Sequence, residues 1–240
     1  VTSKLVLSPH FDDAVFSTWD ILVRERKNIT NVTFCGGVPP EECVMTHWDG
    51  MCGFNSAREA AQKRAVEDAN ACEIAGVNWK HLDFLDLPYS KEKSIADIEE
   101  VLEKLVPDFD VVIAPIGIGQ HQDHIVIRDA IISVYKKSRS FELVFYADCP
   151  YASVNGWDSD DSSKELDYQW SYALSQVEKQ GVRLLEPTRI EFSETQVLEK
   201  LVAAKTYESQ LKGLLEYYPA LLETDGCFSV EVTWKCESVE

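Results

Sequence analysis

Positive charge is scarce in this sequence. Lysines and arginines number 23 against 41 aspartates and glutamates, for a formal charge of -18. That balance excludes a nucleic-acid backbone and an anionic membrane surface as partners, and it suits a neutral or cationic small molecule. Long hydrophobic runs are missing too. No apolar stretch nears the ~18 residues of a membrane-spanning helix, and the first residues lack the charged-then-apolar form of a signal peptide. A cytoplasmic location is the expectation. The seven cysteines never form a C-x-x-C pair, which excludes zinc knuckles and thioredoxin-like motifs. They read as reduced thiols, with Cys43 to Cys52 or Cys227 to Cys236 as alternative bridges. No G-x-G-x-x-G follows the first apolar run, which removes a dinucleotide cofactor. Repeats, low-complexity tracts and linkers are absent, so residues 1–240 read as one domain.

What is present is an alternation of strand and helix. Apolar runs at 4–8, 31–35, 79–84, 111–114, 143–146, 188–192 and 228–234 read as strands. Between them, segments 14–26, 55–75, 94–106, 125–137, 166–180 and 195–216 read as helices, the second stopped by Gly76 and the third begun by Ser94. The last helix places Leu198, Leu201, Val202, Tyr207 and Leu211 on its apolar stripe. Residues 38–54 show no steady period and read as a long loop. Strands alternating with helices predict an α/β protein, a Rossmann-like three-layer fold with a mainly parallel sheet.

Two polar stretches each follow a predicted strand. Ser8-Pro9-His10-Phe11-Asp12-Asp13-Ala14 comes after the first, and Gly119-Gln120-His121-Gln122-Asp123-His124 after the fourth. Open α/β sheets collect ligands at the carboxyl ends of their strands, so the two stretches are expected to form one site. Imidazoles and a carboxylate with open positions suit a catalytic metal centre rather than a closed structural one. Adjacent Asp12 and Asp13 cannot both reach one ion without strain, which frees one of them to act on water as a general base. His47 and His81 lack this context and are left outside the site.

These motifs resemble the PIG-L/LmbE-like superfamily of metal-dependent N-acetylglucosaminyl deacetylases. The resemblance extends to Arg64-Ala65-Val66-Glu67-Asp68 before Gly76. Ser8-Pro9-His10, Trp48, the Tyr146 to Ala152 segment and Tyr207-x-Ser209-Gln210 are similar to the branch with glycopeptide-antibiotic sugar deacetylases. Two departures are Phe11, where many members have proline, and Ala14, where many carry glutamate.

Position by position, the resemblance implies that His10, Asp13 and His124 hold Zn2+ and that Asp12 is the general base. His121 would stabilise the oxyanion and protonate the leaving amine, with Asp123 orienting it as an imidazolium. Arg64 would lie near the substrate or behind the metal ligands. The substrate would be an N-acetyl or N-acyl amino sugar or its glycoside, hydrolysed by metal-activated water. Ferrous iron suits the same donors. Asp148, Tyr151, Trp48 and Trp157 are the expected sugar contacts, because sugars are held by stacked rings and carboxylate hydrogen bonds. The alternative is a non-catalytic sugar-binding protein of the same fold.

Overall fold

The computed structural model describes residues 2–90, 93–154 and 168–238. Five strands run parallel at its centre: β1 (Lys4–Ser8), β2 (Ile29–Thr33), β3 (Asn78–His81), β4 (Val111–Pro115) and β5 (Glu142–Tyr146). Three more, β6 (Val182–Leu184), β7 (Thr188–Glu191) and β8 (Val230–Ser238), complete the sheet in the order β3-β2-β1-β4-β5-β8-β6. β8 pairs antiparallel with β5, β6 and β7. β1, β4 and β5 read as near-continuous apolar runs because both faces are covered, while the edge strand β3 is polar and largely exposed.

Side-chain alternation sorts the core into two layers. Leu5, Leu7, Val112, Ala114, Leu143 and Phe145 face α5 (Ile95–Leu105), α6 (Gln122–Ser138) and α8 (Tyr168–Lys179). Val6, Ile113, Val144 and Tyr146 face the opposite layer: α1 (Asp13–Ser17), α2 (Trp19–Glu25), α4 (Ala57–Ala75), α9 (Glu194–Ala204) and α10 (Glu208–Tyr217). Two short helices, α3 (His47–Met51) and α7 (Tyr151–Val154), lie in connections. α4 starts on Ser56, whose hydroxyl accepts the Glu59 amide, and ends at Gly76 with φ 76°. The result is the expected three-layer, Rossmann-like arrangement.

Several expectations change. The first predicted helix breaks into α1 and α2 at Thr18, where the backbone leaves helical geometry with φ -137° and ψ 26°. Buried Glu231 of β8 then caps the new helix, accepting the amides of Trp19 at 2.6 Å and Asp20 at 3.0 Å. The last predicted helix breaks into α9 and α10 in the same way. Glu67 accepts the Ser209 amide at 3.1 Å and its hydroxyl at 2.6 Å. With that change of direction, Leu198 and Val202 are exposed rather than part of the apolar stripe. The 38–54 segment is not all loop, since Thr46 and Asp49 form a capping box that starts α3. β6 was not predicted at all; it is three residues long. All seven cysteines are free, so neither alternative bridge forms. No helix among the described residues is long and apolar enough to cross a membrane.

Candidate metal centre

β1 and β4 are neighbours and their connections leave in opposite directions across the sheet, so their carboxyl ends flank the switch point. After β1 the chain turns tightly. The Ser8 hydroxyl accepts the Ala14 amide at 3.0 Å and donates to the His10 carbonyl at 2.7 Å. After β4 the turn is built on glycine. Gly119 has φ +89°, and a Cβ there would come within 2.5 Å of the Tyr151 ring. His121 then occupies the N-cap position of α6, which presents His124 one turn inside the helix.

The two loops bring three donor atoms together. His10 Nδ1 lies 3.3 Å from Asp13 Oδ2 and 3.3 Å from His124 Nε2, while His124 Nε2 lies 3.4 Å from Asp13 Oδ2. A tetrahedral ion about 2.05 Å from each of three donors needs them about 3.3 Å apart, so the spacing fits zinc. The donor set, two imidazoles and one carboxylate, fits equally. His10, His121 and His124 also form a candidate cluster for a metal. His124 is fully buried, and its Nδ1 sits 2.7 Å from Asp148 Oδ1. Burial alone would lower the pKa of both His10 and His124, yet both are raised. Asp86, with hydrogen bonds accepted by Asp123 and Asp13, outweighs burial at His10, and Asp13 and Asp148 do so at His124. Surroundings that favour protons here favour a cation, and a bound metal would displace those protons.

Asp12 differs from Asp13 although the two are adjacent. It sits at the N-cap of α1 without a capping hydrogen bond, and its carboxylate lines a cavity of about 350 Å³. Burial, reinforced by the Asp13 charge, raises its pKa to about 7. Asp13 moves the other way: burial would raise it, but His124 and His10 hold it below the usual carboxylate range. Two carboxylates therefore have distinct environments, one suited to an ion and one to a proton. His121 also lines the cavity. Burial, with His10 and His124 nearby, lowers its pKa to about 4.

Of the expected substrate residues, Arg64, Trp48 and Tyr151 line the cavity. Arg64 is nearly buried, 3.0 Å from Asp49 and over the Phe54 ring. Trp48 stacks on Tyr217 with ring centroids 6.3 Å apart. Trp157 lies outside the described residues.

Two expected roles are not matched. Asp148 is fully buried and away from the cavity, because both carboxylate oxygens are committed: one to His124, the other to the amides of Gly117 at 2.8 Å and Ile118 at 2.7 Å. It braces the His124 ring instead of facing the cavity. Asp123 does not hold the His121 ring; only its backbone amide reaches His121 Nδ1, at 3.4 Å. Its carboxylate faces His10 Nε2 at 3.3 Å, the Leu87 amide at 3.0 Å and the Lys93 ammonium. His121 is accordingly not held as an imidazolium. His47 is exposed and His81 is paired with Asp68 at 2.8 Å, both outside the centre.

The sequence reading missed Asp86, Tyr89, Tyr217 and Tyr218, all of which line the cavity. Asp86 carried a signal: like the two motifs, it follows a parallel strand, β3, at the carboxyl edge of the sheet. Tyr217 and Tyr218 carried none, since they end a helix that the sequence placed in the core.

Fold and site together define the class, a doubly wound α/β protein with a candidate two-histidine, one-aspartate metal centre at its switch point. The chain belongs to the PIG-L family of GlcNAc-PI de-N-acetylases, whose model matches residues 5–135. Among solved structures, it is similar to a deacetylase triple mutant of the teicoplanin biosynthetic pathway, with TM-score 0.79 and 22% identity over 100% of this chain and 99% of that one. It is also similar to the A40926 pseudoaglycone deacetylase, with TM-score 0.72 and 26% identity over 100% and 98%. The 2'-N-acetylparomamine deacetylase of Streptomyces fradiae is 24% identical over 171 residues, which are 62% of this chain and 57% of that protein. The alignment thus spans little more than half of that relative's length.

Proposed function

We propose that this chain, acting as one domain, is a metal-dependent N-deacetylase that hydrolyses the N-acetyl or N-acyl amide of an amino sugar or its glycoside. The observation that carries the reading is the convergence of His10 Nδ1, Asp13 Oδ2 and His124 Nε2 beside a cavity that Asp12 and His121 also line. The names of the three similar proteins reported above, each a deacetylase, support it.

Zinc or ferrous iron held by His10, Asp13 and His124 would polarise the amide carbonyl and make water at the site more acidic. Asp12 takes the proton from water as it attacks the carbonyl carbon. A pKa near 7 lets Asp12 hold that proton and return it to the departing nitrogen at neutral pH. Neutral His121 accepts the Asp123 amide at Nδ1, which leaves its Nε2–H to donate to the oxygen where charge develops. One such donor is commonly worth about 3 kcal/mol. Trp48, Tyr151, Tyr217 and Tyr218 offer ring faces to the sugar. Arg64 Nε and Gln210 Nε2, buried without an acceptor among the described residues, offer donors to its hydroxyls.

The test is amine release from a panel of N-acetylglucosamine derivatives and glycosides, using metal-stripped protein with and without added zinc or ferrous iron. Metal-dependent release that disappears in Asp12→Ala is expected. Binding of the same sugars without release under any metal would replace this reading with the non-catalytic one.

A further inference from the structure

Each histidine of the metal centre presents one ring nitrogen to the ion position and the other to a buried carboxylate. For His124 the carboxylate is Asp148; for His10 it is Asp123, 2% exposed, whose Oδ2 lies 3.3 Å from His10 Nε2. Such partners fix the tautomer and the ring plane of a ligating histidine. The two carboxylates are themselves held differently. Asp148 is anchored by two backbone amides, Gly117 and Ile118, which only a change to proline would remove. Asp123 has one amide, that of Leu87, and in place of the second it has the ammonium of Lys93.

We propose that Lys93 is a positioning residue of the metal centre: through Asp123 it fixes the His10 imidazole with Nδ1 turned to the ion. The lysine side chain is 5% exposed and comes from the segment between the Leu87–Tyr89 turn and α5, outside both metal-binding loops. Its charge offsets that of Asp123, which would otherwise be a buried carboxylate with one backbone donor and one imidazole. A carboxylate held this way accepts from His10 Nε2–H, and the lone pair is left on Nδ1, the nitrogen that faces Asp13 and His124. Without the ammonium, Asp123 is free to turn away from His10. His10 Nε2 then loses the nearer of its two carboxylates, Asp86 standing farther off at 3.5 Å, and the ion loses a preorganised ligand. The same geometry assigns Asp123 to His10 rather than to His121.

This inference rests on the reading of His10, Asp13 and His124 as the ligands, and the experiment separates the two. Zinc affinity is measured by chelator competition on Lys93→Met, Lys93→Gln, Lys93→Arg, Asp123→Asn, His121→Ala and His124→Ala, each checked for folding by circular dichroism. The visible spectra of the cobalt-loaded forms are recorded alongside. Lys93→Met, Lys93→Gln and Asp123→Asn are expected to bind zinc 10- to 100-fold more weakly, the range usual for lost partners of a ligating histidine, with altered cobalt spectra. Lys93→Arg restores most of the affinity, and His121→Ala leaves it within about threefold. Unchanged affinity in both neutral Lys93 variants, with zinc lost in His124→Ala, overturns the role of Lys93 alone. Zinc retained in His124→Ala overturns the ligand reading itself.

Discussion

Asp148 Oδ1 lies 2.7 Å from Nδ1 of His124, and neither side chain is exposed to solvent. The carboxylate is fixed by the 117–118 amides before it meets the imidazole, so the ring has one orientation. Asp148→Asn keeps the shape but weakens the acceptor, and zinc affinity should fall about 10- to 100-fold by chelator competition. If Asp148 met sugar instead, KM would rise with zinc affinity unchanged.

Asp12 and His124 should separate chemistry from metal binding. Asp12→Ala is expected to keep its zinc and lose roughly 10²- to 10⁴-fold in kcat, the usual contribution of a general base. His124→Ala should lose its zinc. Metal content by atomic emission, measured beside turnover, checks both, and the reversed pattern would exchange their assignments.

The metal-free protein should be less stable in mild alkali than in mild acid. Asp12 has a folded pKa of about 7 against an ordinary value of 3.8, so the folded state holds an extra proton and loses stability as pH rises through that interval. His10 and His124, raised above 6.5, lose stability on the same rise. His121, lowered to about 4, acts in the opposite sense as pH falls below 6.5. Melting of metal-stripped protein is therefore expected at a lower temperature at about pH 8 than at about pH 6. Added zinc, which replaces the protons, should narrow the gap. A metal-free Tm that rises with pH would contradict these environments.

Lys200 and Glu231 form a buried ion pair at 2.7 Å, with Lys200 also donating to the Phe16 carbonyl at 2.7 Å. Lys200→Met leaves the Glu231 charge without its cation, and breaking a buried pair from one side typically costs about 3–5 kcal/mol. Urea unfolding should show that loss. The double variant Lys200→Met with Glu231→Gln should recover part of it.

Gly213 of α10 faces the Trp48 indole so closely that an added Cβ would lie 2.7 Å from the ring. Gly213→Ala should push Trp48 out of its place at the cavity wall. A raised KM with kcat nearly unchanged is expected from steady-state kinetics, because the tryptophan stands away from the reacting atoms.

The parallel core was legible because strands buried on both faces spell themselves as apolar runs, and the metal loops because each follows such a run directly. What depended on distant carboxylates was not. The break before Trp19 requires Glu231, 212 positions away, and the break before Glu208 requires Glu67, 142 positions from Ser209. Local periodicity carries no trace of either. Asp148 looked like a sugar contact because Pro150 and Tyr151 follow it, while the amides that claim it belong to a different loop. Asp123 misled in the opposite way: adjacent to His121 in sequence, it points across to His10, as position on the first turn of α6 dictates.

The Glu231 cap on α2 also sets an order of assembly. The helix that follows the His10 to Asp13 loop lacks its cap until β8 is in place. The contact spans 212 positions, and closing so long a loop is slow. A helix beside one loop of the candidate centre is thus fixed by a contact made far along the chain.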